Sequence, residues 1–472
     1  MGSAGTALTD QAARNAIQTE LDINLMVEAG AGSGKTESLA GRMVSLVASG
    51  KAQVGQIAAV TFTRKAAAEL RGRFRMKMEK HLADEKDRDR SARLQDAIRD
   101  MEGMFAGTIH SFCARLLRER PVEAGLAPGF REIEEAEDNL LRRSAWRDFI
   151  EGARKDDSPD LAALRNAGVN IADLQEAFST VCRYPDVSFP AGEAACPEAS
   201  GYWAALDRFW EKLQSLRPRD EAPYTCKVLA KMREFAPMYR RAPRQIAALA
   251  KLLKMWEAKT GIVLKWWEGR GPEARERVDE FQANYAAPFL LAWREYLYGP
   301  ALRLLLGARD FAATERRKKA LINFTDLLLF ASRMVREDLT VRAALQKKYR
   351  FLFVDEFQDT DPLQLELFFL LAAEHGAGTD WRTSALRPGS LFLVGDPKQS
   401  IYRFRRADIE MYQQAKLKIE GTGGRIVSLT TCYRSGPNLC EWVNGIFTTH
   451  PSTSATPYQP EFARLLSSVM RP

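Results

Sequence analysis

Near the N-terminus, an apolar run passes through a glycine-rich turn into an amphipathic helix. The apolar run is Ile23–Val27, and Leu39, Met43 and Val47 indicate the helix. The turn between them consists of Ala29, Gly30, Ala31, Gly32, Ser33, Gly34, Lys35 and Thr36. A strand, a turn of small residues that ends in Lys-Thr, and a helix, in this order, are the context that a phosphate-binding loop requires.

The residue types in this turn suit the binding of a nucleoside triphosphate. Small residues let backbone N–H groups curl around the β-phosphate, and the N-terminus of the following helix favours negative charge. Lys35 is placed to reach the β- and γ-phosphate oxygens, and Thr36 to ligate Mg²⁺. Ala29 stands where the strict pattern has glycine, and a glycine-rich turn without a ligand is the alternative interpretation.

A second apolar run ends in two adjacent carboxylates. Phe351–Val354 predicts a buried strand, and Asp355 and Glu356 follow it directly. Ligands of parallel sheets bind at the carboxyl ends of the strands. There, Asp355 is placed to hold Mg²⁺ through water, and Glu356 to polarise the water that attacks the γ-phosphate. Acidic residues also end strands as plain turn residues, but together with Lys35 and Thr36 this pair predicts NTP hydrolysis.

The remaining pattern predicts an α/β fold with a helical insertion. Further apolar runs predict strands at Ile57–Phe62, Leu391–Val394 and Ile426–Leu429. Most strands are followed by helical periodicity, which predicts a parallel sheet. From about Pro121 to Leu321 the pattern is helical, and its core is expected to contain Trp203, Trp210, Trp256, Trp266, Trp267 and Trp293. We predict a first domain from residues 1–120 and 320–425, a helical insertion at 121–319, and the start of another domain at 426–472.

Composition narrows the class of protein. Lys and Arg number 69 against 61 acidic residues, and the net charge of +8 with a pI near 9.1 suits a polyanionic partner. The six cysteines are scattered, so neither a zinc site nor a disulfide framework is indicated, and a reducing cytoplasm is the expected location. No apolar run approaches the ~18 residues of a membrane helix, so no membrane partner is expected.

Ordered motifs are spread from Leu8 to Asn444. Besides the loop and the carboxylates, they are Leu8–Gln11, Ala59–Leu70, Gly107–Cys113, Gly395–Arg405 and Leu429–Ser435. Together they resemble the motifs of the UvrD/Rep family of superfamily 1 DNA helicases, and Asp396–Gln399 is most similar to the RecB/AddA branch. The resemblance implies a RecA-like P-loop NTPase domain with a parallel sheet, interrupted by a large all-helical insertion and followed by the start of a second RecA-like domain.

The resemblance assigns roles around ATP to four more residues. Gln11 would hydrogen-bond the edge of the adenine, and Tyr433 would stack on its face. Gln399 would sense the γ-phosphate, and Arg434 would approach it from across the cleft. Charge supplied from the opposite side makes closure of the cleft depend on ATP, which is how such a motor couples hydrolysis to movement.

The resemblance also implies a path for single-stranded DNA. Its contacts would be Phe62, Thr63, Arg64, His110, Tyr402 and Phe404. Aromatic residues alternate there with Arg403, Arg405 and Arg406, which suits base stacking beside a phosphate track. Two positions depart from the family pattern, because UvrD and Rep have Trp at the position of Phe404 and a small residue is common at that of Arg406.

The implied activity is that of a DNA helicase or translocase that uses ATP and Mg²⁺. It would move 3′ to 5′ on single-stranded DNA and at duplex ends in repair or recombination, with a partner subunit in a helicase-nuclease complex. The family's later motifs would lie beyond Pro472, so we expect an N-terminal fragment with weak activity. A catalytically incomplete scaffold is the alternative. An ATPase unrelated to nucleic acid would require Phe62, Tyr402 and Phe404 to be core residues.

Overall fold

The computed structural model describes residues 10–218, 226–258, 261–264, 267–403, 406–449 and 464–467. The chain divides into two compact units. We call the part within residues 1–133 and 320–472 the sheet unit, and the part within residues 134–319 the helical unit. None of the helices in the described ranges combines the length and the apolar character needed to cross a membrane.

The strands of the described residues all belong to the sheet unit. In chain order they are β1 Leu25–Ala29, β2 Ile57–Thr61, β3 Phe105–Thr108, β4 Arg131–Glu132, β5 Leu321–Ile322, β6 Phe351–Val354, β7 Leu391–Gly395, β8 Arg425–Leu429, β9 Thr431–Cys432 and β10 Leu466–Ser467. Six of them form one parallel sheet in the order β3-β2-β6-β7-β1-β8, while β4 pairs with β5 and β9 with β10.

Helices are numbered through both units. The sheet unit contains α1 Gln11–Thr19, α2 Lys35–Ala48, α3 Arg64–Asp84, α4 Arg88–Arg99, α5 Ile109–Glu119, α14 Phe324–Glu337, α15 Leu339–Lys348, α16 Pro362–Ala372, α17 Ile409–Gly421 and α18 Pro437–Thr449. The helical unit contains α6 Glu135–Lys155, α7 Pro159–Asn166, α8 Leu174–Arg183, α9 Ser200–Ser215, α10 Lys227–Arg241, α11 Ile246–Lys254, α12 Gly271–Phe281 and α13 Ala287–Lys318.

The six-stranded sheet is covered on both faces, because side chains of a strand point to opposite faces in alternation. In β6, Leu352 and Val354 pack with α5 and α14–α17, whereas Phe351 and Phe353 pack with α2–α4. A sheet buried on both faces leaves continuous apolar runs in the sequence. The strand at Phe351–Val354 therefore has the predicted bounds.

The sheet is completed from both sides of the insertion, as predicted. β6 and β7 come after the helical unit in sequence, yet they lie between β2 and β1. Crossover connections of this kind bring the carboxyl ends of β1 and β6 to the same edge of the sheet. This edge carries the glycine-rich turn and the two carboxylates.

Four points of the predicted organisation need correction. β1 lies two residues later than predicted, and β3 was missed because it is a short edge strand with only Phe105 buried. Residues 426–429 were assigned to the start of a second domain, but β8 pairs with β1 along its whole length. The boundary at 425/426 is therefore wrong for this strand. The compact helical unit begins at Glu134 rather than at 121.

The helical unit has its own aromatic core. Five of the six tryptophans expected there are buried, namely Trp203, Trp210, Trp256, Trp267 and Trp293, while Trp266 lies outside the described residues. Phe209 stacks on Phe281 with ring centroids 3.9 Å apart. Aromatic pairs of this kind add about 0.5–1.5 kcal/mol beyond the area they bury. These buried rings belong to an apolar core that lies within the helical unit itself.

Candidate functional site

The glycine-rich turn follows β1 directly and leads into α2. Gly32 and Gly34 have φ angles of 75° and 88°, in the left-handed region that favours glycine. A Cβ on Gly32 would also lie 2.7 Å from the Cβ of Arg434, so a larger residue does not fit there. Ala29 is the last residue of β1. Because this extended position admits any residue, the departure from glycine at position 29 leaves the turn intact.

The backbone carbonyls of residues 30–33 in the turn all have hydrogen-bond partners. Within the turn, Ser33 donates from its N and Oγ to the carbonyl of residue 30, at 3.2 and 2.7 Å. From outside the turn, Cys432 Sγ lies 3.5 Å from the carbonyl of residue 31, and the Tyr433 amide donates to that of residue 32 at 2.9 Å. Arg14 Nη2 donates to the carbonyl of residue 33 at 3.0 Å. With its carbonyls engaged in this way, the turn is held in one shape, which favours a preorganised anion site.

Arg14 on α1 was missed by sequence analysis. Its guanidinium lies 5.0 Å from the ring centroid of Tyr433 and is bound by both carboxylate oxygens of Asp10, at 3.0 and 2.9 Å. Asp10 also accepts hydrogen bonds from the amides of Thr430 and Thr431. Burial raises the pKa of Asp10, but these hydrogen bonds outweigh it and lower the pKa below its ordinary value. This buried ion pair ties α1 to the turn and to segment 430–433.

Gln11 lies elsewhere on the same helix. Its side chain is exposed and donates to Asn15 Oδ1 at 2.8 Å. The described contacts therefore link Arg14, rather than Gln11, to the turn. The spacing of Asp10 and Arg14 by four residues suits an ion pair on a helix. This spacing was the local sign in the sequence that Arg14 has a structural partner.

Lys35 and Glu356 meet across the carboxyl edge of the sheet. Lys35 Nζ lies 2.9 Å from Glu356 Oε2, although 321 positions separate the two residues in sequence. Glu356 has a φ of 51°, an uncommon conformation for a residue with a side chain. Backbone strain of this kind concentrates at functional sites. Thr36 is half-buried in the first turn of α2, next to Lys35.

Asp355 holds a proton unusually well. Burial, and then the negative charge of Glu356, raise its pKa to about 6, against the opposing effect of Lys35. The same two causes raise the pKa of Asp359 to about 6. A hard divalent cation would relieve this accumulation of negative charge. Carboxylate and hydroxyl oxygens are the donors that Mg²⁺ prefers, so Asp355 and Thr36 fit such an ion.

Gln358 connects the carboxylates to the segment after β7. Its Nε2 donates to Glu356 Oε2 at 2.8 Å, and its Oε1 accepts from the Asp396 amide at 2.8 Å. Asp396 in turn accepts from Gln399 Nε2 at 2.7 Å. Gln358 is only 3% exposed, so both ends of its amide are committed to these partners. The sequence pattern assigns no role to Gln358, because its contact with Asp396 joins residues that lie far apart in the sequence.

Two of the aromatic residues assigned to DNA form a pair. The rings of Phe62 and Tyr402 are stacked, with centroids 5.0 Å apart and planes at 24°. Phe62 is 37% exposed although it follows a buried strand directly. Phe404 lies outside the described residues. Arg406 has a φ of 70°, an uncommon backbone conformation for a residue with a side chain.

The other residues assigned to DNA, and the two aromatic and basic residues assigned to ATP after β8, are placed as follows. Thr63 caps α3, with its Oγ1 accepting from the Ala66 amide at 3.0 Å, and Arg64 is exposed in the first turn. His110 packs edge-on against Phe324, with ring centroids 5.2 Å apart. Arg434 is exposed beside the glycine-rich turn, and Tyr433 is 47% exposed. The structure thus groups Tyr433 and Arg434 with the turn, and Phe62 with Tyr402.

The parallel sheet, the preorganised turn and the Lys35–Glu356 pair at one sheet edge define an α/β domain of the phosphate-loop NTPase class. More particularly, a sequence profile of the UvrD/REP helicase N-terminal domain matches residues 9–420. The chain belongs to the UvrD/REP helicase family. Membership of a helicase family implies the use of a nucleotide.

The chain is also similar to proteins that are described as subunits of helicase-nuclease enzymes. The chain is 29% identical to an ATP-dependent helicase/nuclease subunit from Desulforudis audaxviator and 26% identical to the protein of the same description from Levilactobacillus brevis. It is 24% identical to the exonuclease/helicase subunit RexA of Streptococcus pneumoniae. Each match covers 90% of this chain but only 37–38% of the relative.

Proposed function

We propose that this chain is the ATP-binding front part of a DNA helicase or translocase that hydrolyses ATP with Mg²⁺ and moves 3′ to 5′ along single-stranded DNA. One observation carries the proposal. A continuous series of contacts runs from Lys35 through Glu356, Gln358 and Asp396 to Gln399, three residues before the stacked Tyr402. Polar contacts as far as Gln399, and then the short segment from Gln399 to Tyr402, therefore connect the proposed nucleotide site with the aromatic pair within one unit.

The contacts indicate how binding is coupled to the aromatic pair. In the described arrangement Lys35 neutralises Glu356. A γ-phosphate competes for the lysine, and Glu356 then becomes available as a base for the attacking water. Mg²⁺, held by Thr36 and Asp355 when bound, would stabilise the negative charge that develops on the phosphate oxygens.

A change at Glu356 reaches the DNA side through Gln358. The buried amide of Gln358 cannot lose Glu356 without leaving a donor unpaired, which costs about 1–3 kcal/mol. A shift of the amide moves the Asp396 backbone that it binds, and with it Gln399. The segment that begins at Asp396 leads within six residues to Tyr402. We propose that, in this way, the bound nucleotide changes how strongly the aromatic pair binds a base of the DNA.

The biological setting is also a proposal. The names of the relatives support a role as a subunit of a helicase-nuclease complex. We propose that this complex includes a partner protein and acts on duplex ends in repair or recombination. A cytoplasmic location is supported by the six free cysteines, five of them buried. A non-catalytic scaffold that binds ATP and DNA is the second candidate.

ATP hydrolysis by the wild type and by Lys35→Ala, each with and without single-stranded DNA, tests the proposal. Lys51→Ala is a matched control, because it removes an exposed lysine just after the other end of α2. DNA-stimulated turnover that only Lys35→Ala removes is the expected result. ATP binding without turnover, removed by Lys35→Ala, would favour the scaffold. Absence of ATP binding in the wild type would refute both.

A further inference from the structure

A groove in the sheet unit lies outside the assigned motifs for most of its length. It measures about 590 Å³ and runs between α3 and residues 101–107. Its α3 wall contains Ala67, Ala68 and Gly72, whose small side chains let a ligand backbone approach the helix closely. Three arginines project from the same wall, at positions 64, 71 and 75, against one acid, Glu102.

The arginines follow a single face of α3. Positions 64, 71 and 75 are seven and four residues apart, which places them along one stripe of a helix. At ~1.5 Å per residue the stripe is about 16 Å long. Arg71 is exposed and forms no ion pair with any residue in the described ranges. Arg75 contacts Glu79 through Nε at 2.9 Å, and this pair is largely exposed.

The groove begins next to the aromatic pair. Phe62 lies two residues before the first turn of α3, and its ring stacks on Tyr402. Arg64, the first residue of α3, is two residues from Phe62 and lines the groove. Arg71 and Arg75 line the groove further along the same helix. Charge complementarity and continuity with the aromatic pair together favour one kind of occupant, a single-stranded nucleic acid.

Resting on the proposed function, we infer that this groove binds the phosphodiester backbone of single-stranded DNA beyond the nucleotides at Phe62 and Tyr402. Arg71 and Arg75 are the phosphate ligands, and the small residues of α3 form the floor. The groove lengthens the DNA-binding site, and arginines that bind phosphates carry no sequence information. It therefore contributes to affinity and to salt dependence rather than to sequence preference.

The test measures binding of fluorescent oligothymidylates, from about 4 to 16 nucleotides long, to the full 472-residue chain. The variants are Arg71→Ala/Arg75→Ala and the matched control Arg73→Ala. Arg73 lies on the same helix but contacts Glu69 at 2.7 Å and does not line the groove. The double lysine variant, Arg71→Lys/Arg75→Lys, retains the charge, and circular dichroism verifies folding.

For the longest oligonucleotides, the double alanine variant is expected to bind about tenfold more weakly, and the slope of log affinity against log salt is expected to fall by about 1.4. The double alanine variant should bind the shortest oligonucleotides and ATP as the wild type does. Arg73→Ala should bind DNA as the wild type does, and the double lysine variant should keep most of the salt slope.

Equal losses of affinity at every oligonucleotide length, or an equal loss in Arg73→Ala, would overturn the inference. If Phe62→Ala weakens binding but the double variant does not, the inference fails while the proposed function stands. If the wild type binds no oligonucleotide, both fail.

Discussion

Glu356→Gln is expected to tighten the binding of ATP and to slow its hydrolysis. Lys35 Nζ lies 2.9 Å from Glu356 Oε2, so a phosphate that binds Lys35 has to compete with this partner. The substitution leaves a neutral amide of nearly the same shape. It also removes a negative charge close to the place where phosphates bind. Both effects favour ATP, whereas the loss of the carboxylate removes the base for the attacking water.

The gain in affinity follows from the exposure of the pair. The side chains of Lys35 and Glu356 are 13% and 35% exposed, so water screens much of their attraction. An ion pair in this setting contributes about 1 kcal/mol. Removing that competition should tighten ATP binding about fivefold. Isothermal titration with ATP and Mg²⁺ measures the affinity, and phosphate release with single-stranded DNA measures hydrolysis, which should fall by at least ~100-fold.

Glu37→Gln is the matched control for charge. Glu37 lies in the first turn of α2 and forms an ion pair with Lys77, so its substitution removes one negative charge near the turn without affecting Lys35. Weaker ATP binding by Glu356→Gln would refute the competition argument. An equal gain in both variants would show that general charge, and not the Lys35–Glu356 pair, sets the affinity.

Three further predictions concern the same unit. Asp10→Ala removes a charged acceptor from the amides of residues 430–431, and hydrogen exchange measured by mass spectrometry should be about 10–100-fold faster there. Because burial and Glu356 raise the pKa of Asp355 to about 6, Mg²⁺ must displace a proton at lower pH. The Mg²⁺-dependent part of the ATP affinity should then fall about fivefold from pH 6 to pH 5, and Asp355→Asn should weaken this pH dependence. Phe404→Ala should reduce DNA stimulation of hydrolysis several-fold more than ATP affinity, and loss of folding would instead indicate a core residue.

The sequence predicted the elements of the sheet best where burial is complete. Phe351–Val354 is buried on both faces, so its apolar run marks its bounds directly. β3 is an edge strand with one buried residue, and so short a run carries little apolar signal. The pattern at 426–429 predicted a strand correctly, but it could not name the partner strand. Pairing with β1 depends on the tertiary fold, about which the local sequence pattern carries no information.

The residues of the candidate site could also be predicted only where they have a local sequence signature. The motif around Lys35 and the carboxylate Glu356 could be found separately, because each has a local signature of strand and turn. Arg14 and Gln358 have no such signature. Their importance lies in contacts with residues far away in sequence, such as Ser33 for Arg14 and Asp396 for Gln358. Contacts of this kind become visible only in the folded chain.

The pairing of β4 with β5 has a consequence for how this architecture can vary. The chain leaves the sheet unit after β4 and returns at β5, and neighbouring strands lie about 4.8 Å apart. Residues 134–319 therefore connect two points that are already adjacent. The entropy of closing such a connection grows only with the logarithm of its length. An insertion of a different size or sequence can replace the helical unit without changing the register of the sheet, so the connection behaves as an exchangeable module.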